Sequence, residues 1–279
     1  MITDLHAHYG FKWNPFSPDV PLEGMLATPA VEHFTWRVEQ LSHEGGFALL
    51  TGEPGTGKSV ILRLVVRRLS LVRDLQLGVL TRPHGYVSDV YRELGDLFGV
   101  SLSPHNRWAG SKVLRERWRA HIERTLFRPV LIIDEAQEMR PAVLNELRLL
   151  ASADLDSRAL LTVVLAGDQR LTGMFRAPEL VPLGTRIRVR LAVDAASPQE
   201  LAESLRHALD AAGAAHLMTP ALIEALATHS AGNRRVLMNL AAELLAAGVS
   251  RNLSQLDEQL FFAVCGPPAP PARAQARRR

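Results

Sequence analysis

Residues 51–61 read TGEPGTGKSVI. Three glycines, a proline, one lysine and one serine stand between an apolar run, FALLT (47–51), and an amphipathic run that continues to Ser70. Gly52 to Ser59 spell G-x-x-x-x-G-K-[ST], a pattern with a mechanism when a strand precedes it and a helix follows. Glycines let successive backbone N–H groups turn inward around a phosphate, and the helix aims its positive N-terminal end at the same oxygens. Lys58 is then expected to reach the β- and γ-phosphates, with the Ser59 hydroxyl on Mg²⁺. The expected cradle comprises Gly52, Glu53, Pro54, Gly55, Thr56, Gly57, Lys58, Ser59 and Val60.

A second stretch supplies matching chemistry. VLIIDEAQ (130–137) is an apolar strand that ends in two carboxylates. Asp134 is placed to hold Mg²⁺ through water, and Glu135 to orient and deprotonate an attacking water. An aspartate alone suits many nucleotide binders; the adjacent glutamate argues for hydrolysis.

The surrounding pattern gives the architecture. FALLT (47–51), LQLGVL (75–80), VLII (130–133), LLTVVLAG (160–167) and IRVRL (187–191) read as five strands with helical patterns between them. That alternation predicts an α/β fold with a parallel five-stranded sheet flanked by helices. Thr28 and Pro29 read as N-cap and first residue of a helix whose Val31, Phe34, Val38 and Leu41 share one face. A helix over 57–70 follows the glycine loop. Another is expected over 111–126, capped by Ser111, with Leu114, Trp118, Ile122 and Leu126 inward and Lys112, Arg115 and Arg119 on a basic face. After Asp194 the strands stop. SPQE (197–200) is a capping box, and helices are expected over 198–212, 220–229, 233–247 and 255–264. The chain thus divides into an extended segment (1–28), an α/β domain (29–194), a helical domain (195–265) and a Pro/Arg-rich tail (266–279).

Composition is that of a globular protein: 47% of the 279 residues are hydrophobic. The lone Cys265 excludes an internal disulfide and suits a reducing cytosol. No apolar run approaches the length of a membrane span, and MITDLHAHYGF lacks the pattern of a secretory signal, so a cytoplasmic location is expected. Net charge is only +3 while the pI is about 9.4. The excess base is local, at Arg107–Arg128 and in the final PPAPPARAQARRR, and fits a polyanionic partner.

Taken together, YGFKWNPF (9–16), GFALLTGEPGTGKS (46–59), LIIDEAQ (131–137), VVLAGDQRL (163–171) and AGNRRVLMNL (231–240) resemble, in order, blocks of AAA+ ATPases of the ExeA-type and transposon TniB/TnsC/MuB-type branch. The resemblance spans nearly the whole chain. It implies a P-loop NTPase domain with an all-helical AAA+ lid, ATP and Mg²⁺ as ligands, and hydrolysis to ADP and phosphate. It implies a γ-phosphate sensor at the end of the fourth strand, either Gln169 in direct contact or Asp168 through water. It implies an arginine finger at Arg186, acting on a neighbouring subunit's nucleotide, and a lid arginine at Arg235, or at Arg234 if the register slips by one. It further implies ATP-dependent self-assembly. Two biological roles fit: assembly on duplex DNA without sequence preference, together with a transposase, or envelope traffic of the ExeA type. The absence of a membrane span and the arginine-rich end favour DNA. A nucleotide-gated interaction module with slow turnover is a third reading.

Overall fold

The computed structural model describes residues 5–100, 107–124, 127–154 and 157–265. The chain begins with a short helix, α1 (Leu5–Tyr9), and a 3-10 turn, Leu22–Gly24, before α2 (Pro29–Glu44). Thr28 caps α2 as expected, accepting from the Val31 N–H, with Pro29 in the first turn. Then follow β1 (Gly46–Gly52), α3 (Lys58–Ser70), β2 (Leu75–Leu80), α4 (Val87–Phe98), α5 (Arg107–Arg124), β3 (Arg128–Ile133) and α6 (Pro141–Ala151). A two-residue hairpin, β4 (Ser152–Ala153) with β5 (Arg158–Ala159), leads to β6 (Thr162–Gly167), α7 (Gln169–Met174), α8 (Val181–Gly184) and β7 (Ile187–Val193). Four helices close the described chain: α9 (Pro198–Ala211), α10 (Pro220–His229), α11 (Arg234–Ser250) and α12 (Glu258–Cys265).

Two compact units result, residues 26–195 and residues 5–25 with 196–265. In the first, the expected parallel five-stranded sheet has the order β2-β3-β6-β1-β7. Strands buried on both faces send alternate residues to opposite cores. Phe47, Leu49, Leu131, Ile133, Val163 and Leu165 join Leu94, Trp118 and Leu144 from α4, α5 and α6. Ala48, Leu50, Val130, Ile132, Val164 and Ala166 join Val38 and Val65 from α2 and α3. Parallel pairing in that order brings the C-terminal ends of β3, β6 and β1 side by side. The three motif segments leave the sheet there.

In the second unit, Leu201, Leu205, Leu222, Leu237 and Leu244 form the centre of a helical core. The capping box is present: Glu200 N–H donates to Ser197 Oγ (3.2 Å), and Ser197 N–H donates to Glu200 Oε2 (2.7 Å). Among the described residues no helix is long and apolar enough to cross a membrane.

Three sequence expectations require correction. The described part of α5 already runs from Arg107, so Ser111 lies inside the helix and is not its cap. Gly110 sits where a Cβ would come within 3.2 Å of the Tyr91 ring; its bareness lets α5 approach α4. Leu126 and the 266–279 tail lie outside the described residues. Residues 10–25 are irregular, as the prolines imply, but the expected segment divides: residues 5–25 belong to the helical unit and 26–28 to the α/β unit. Phe11 and Phe16 are buried in the helical core, and Asn14 Oδ1 accepts from the Phe16 N–H (3.0 Å) to make the turn between them. The fourth strand begins at Thr162 rather than Leu160, because Arg158–Ala159 pairs backwards with Ser152–Ala153.

Candidate nucleotide-binding site

The glycine loop joins β1 to α3. Gly55 (φ 86°) and Gly57 (φ 105°) adopt left-handed conformations that strain any residue with a Cβ. At Gly52 a Cβ would lie 2.7 Å from Val193 O and 2.8 Å from Thr56 Oγ1. Thr56 Oγ1 itself donates to Glu53 O (2.8 Å), which closes the loop on itself. Lys58 is buried, and its Nζ donates to Gly52 O (2.9 Å) and Glu53 O (3.1 Å). The ammonium is therefore held within a backbone ring at the start of a 13-residue helix. The positive end of the helix and the lysine converge here, as an anion site requires.

Ser59, the next residue of α3, donates from Oγ to Asp134 Oδ2 (3.1 Å). Asp134 follows β3 directly, and its Oδ1 accepts from the Glu135 N–H (2.9 Å). Glu135 is exposed and has a left-handed backbone, φ 52° and ψ 38°. Such a conformation in a non-glycine residue is uncommon and concentrates at functional sites. A hydroxyl and one carboxylate are hard oxygen donors of the kind that bind Mg²⁺ when phosphate and water supply the other ligands. The residues present thus fit both a nucleotide phosphate and Mg²⁺.

The turn at the end of β6 is held by Asp168. Asp168 caps α7, accepting from the Arg170 N–H (2.9 Å), and its carboxylate also takes the Arg170 Nε (2.9 Å to Oδ2). Arg170 reaches on to Glu138 (2.8 Å). That side-chain hydrogen bond is the main reason the Asp168 carboxyl sits below its ordinary 3.8; the nearby charge of Lys58 is a smaller one. Asp168 thus has an intramolecular partner for its charge, while Gln169 is exposed in the first turn of α7.

Arg186 is half-buried just before β7, and its Nη1 donates to Pro182 O (3.5 Å). Arg188 and Arg190 are exposed, alternating along β7 with buried Ile187 and Val189. Arg188 pairs with Glu44 (2.9 Å) and Arg190 donates to Gly184 O (2.8 Å). In the helical unit Asn233 caps α11, accepting from the N–H groups of Arg235 (3.0 Å) and Val236 (3.2 Å). Arg235 is exposed, whereas Arg234 is half-buried near Glu200. Sequence reasoning gave no role to Gln137 and Gly167, which lie beside Glu135 and Asp168. Gln137 stood inside a quoted motif, but its partner is thirty-one residues away.

A family model described as "AAA domain" matches residues 41–175. The chain is also 33% identical over 215 residues to General secretion pathway protein A of Aeromonas hydrophila, an alignment covering 76% of this chain. The chain spans 38% of that relative's length. Among solved structures, Cdc6p from Pyrobaculum aerophilum superposes with a TM-score of 0.70 at 15% identity, covering 86% of this chain and 67% of that one. The ORC1 protein of Aeropyrum pernix, in complex with DNA, gives 0.65 at 20% identity, covering 90% and 68%. The likeness to these solved structures accordingly shows the α/β AAA+ fold.

Proposed function

We propose that this chain binds ATP with Mg²⁺ and hydrolyses it to ADP and phosphate. One observation carries the reading: the buried Lys58 within its backbone ring stands next to a Ser59–Asp134–Glu135 array. Lys58 and the loop amides bind the β- and γ-phosphates. Ser59 and Asp134 hold Mg²⁺, which neutralises phosphate charge when bound. Glu135 accepts the proton of the attacking water. Gln169, exposed beyond β6, is the residue that contacts the γ-phosphate, since Asp168 is held by Arg170. Arg186 serves the nucleotide of a neighbouring copy, and Arg235 that of its own chain, so the active form is a homo-oligomer. Nucleotide binding and phosphate release by Lys58→Ala and Glu135→Gln test the core of this reading: the first loses binding, the second keeps binding and loses turnover.

For the biological role, the reading with most support is a secretion-linked ATPase acting on a protein partner. The support is the 33% identity to a general secretion pathway protein. Assembly on duplex DNA beside a transposase is the second reading, favoured by the basic residues of α5 and by the resemblance to transposon ATPases. Those cations are interleaved with acids, however. Lys112 pairs with Glu116 (3.8 Å) and Arg119 with Asp154 (3.1 Å). Gel shifts with duplex DNA and a non-hydrolysable ATP analogue discriminate. A shift that weakens steeply with salt supports DNA; none at low salt leaves the secretion reading.

A further inference from the structure

Gln137 is almost fully buried, 8% exposed, in the 3-10 turn after β3. Its Nε2 donates to Glu135 Oε2, and its Oε1 accepts from the Asp168 N–H (3.2 Å). These two partners fix which way round the amide lies, since a carboxylate can only accept and a backbone N–H can only donate. They also fix the residue type. Leucine or methionine would fill the space without either bond, and glutamate would set a second carboxylate against Glu135. The space is shaped for this side chain: a Cβ on Gly167 would lie 2.4 Å from Gln137 Oε1. Gly167 is the last residue of β6, the strand hydrogen-bonded to β3. One amide therefore spans the ends of two neighbouring strands, from the hydrolytic carboxylate to the backbone of the γ-phosphate-sensing turn. A second link runs alongside it, through Glu138, Arg170 and Asp168.

We propose that Gln137 is a positioning residue that holds the Glu135 carboxylate in register with the turn after β6, so that the two respond to nucleotide as one unit. The inference rests on the ATPase reading above. Gln137 touches neither phosphate nor water in this scheme; its effect passes through Glu135. It therefore governs turnover while leaving ATP affinity alone.

The test uses the full chain, with ATP binding and phosphate release measured in parallel. Gln137→Ala is expected to lower kcat by ~10-fold or more, since misplacing a catalytic group by an ångström costs on that order, with the ATP dissociation constant unchanged. Gly167→Ala, which pushes the amide aside without altering it, should show the same split. Gln137→Glu keeps the shape and the bond to the Asp168 N–H, and guards against a folding artefact; it should also lose turnover. In a Glu135→Gln background, Gln137→Ala should cost nothing further, because residues that act through one another are non-additive. Folded variants that retain wild-type kcat, or equal losses in both backgrounds, overturn the positioning role while leaving the ATPase reading standing. A wild-type chain that binds ATP without any turnover overturns the ATPase reading, and this inference with it.

Discussion

Ser59 Oγ and Asp134 Oδ2 lie 3.1 Å apart, although 75 residues separate them in the chain. Ser59 is the second residue of α3, the helix after β1, and Asp134 directly follows β3; β6 lies between those two strands. A hydroxyl and a carboxylate in contact form a bidentate oxygen site only if both sides are held rigidly. Here one side is a helix start and the other a strand end whose backbone is pinned by the Glu135 N–H. Asp134→Asn should therefore raise the Mg²⁺ concentration needed for half-maximal phosphate release by ~10-fold or more, the cost of losing a charged partner that holds the ion through water. Chelation with EDTA should stop turnover of the wild type. A Mg²⁺ dependence unchanged in Asp134→Asn would falsify its assignment.

Arg186 gives a prediction about assembly. Arg186→Ala and Glu135→Gln should each be almost inactive alone, because a finger supplied from a neighbouring copy is worth ~10³-fold or more. Mixed, some interfaces combine an intact finger with an intact base, and phosphate release should recover. Failure to recover at every ratio, with mixed oligomers confirmed by crosslinking, would remove Arg186 from the site.

The core of the α/β unit predicts a graded stability series. Trp118 is fully buried, edge-on to Phe98 with ring centroids 5.3 Å apart. Trp118→Ala should cost about 3–5 kcal/mol in urea unfolding, as large-to-small core changes do. The Trp118 indole N–H has no hydrogen-bond partner among the described residues. Trp118→Phe should accordingly be far milder. Equal losses for the two would show that the indole N–H matters more than ring volume.

Acid stability should report on the turn after β6. The Arg170 hydrogen bond holds the Asp168 carboxyl below its ordinary 3.8. A carboxyl depressed by folding contributes stability that is fully present above its unfolded value and is lost as pH falls through the folded one. Arg170→Gln should therefore melt below the wild type at pH 7, with the gap closing below about pH 4. A gap independent of pH would mean that Arg170 stabilises by packing and not by charge.

These assignments were unevenly legible from sequence. All five sheet strands, the loop at 52–59 and the caps at Thr28 and Ser197 are local features, and local features can be read from neighbouring residues. Ser111 has the residue type of a cap yet lies inside α5, and the clearance that Gly110 gives Tyr91 is a tertiary purpose that no helical pattern encodes. Phe11 and Phe16 lie in an irregular segment with no period to mark them as core. For Asp168 the sequence names a sensor through water; the cap it makes on α7 is local, but the Arg170 that holds its carboxylate also reaches Glu138, a contact thirty-two residues long in sequence. Gln137 was hidden for the same reason: its significance depends on β3 and β6 being neighbours, and strand order cannot be read from a motif.

The left-handed backbone of Glu135 carries a consequence of its own. A side chain in that region costs on the order of 1–2 kcal/mol, while glycine there relaxes the strain and gives back only ~0.4–1 kcal/mol through the greater freedom of its unfolded chain. Glu135→Gly should then melt above Glu135→Gln, although both lack the carboxylate. Under the proposed hydrolytic role of Glu135, heat tolerance and turnover compete for this one position. On that proposal, copies of the gene released from the need to turn over ATP would be expected to drift toward glycine there, gaining robustness as they fall silent.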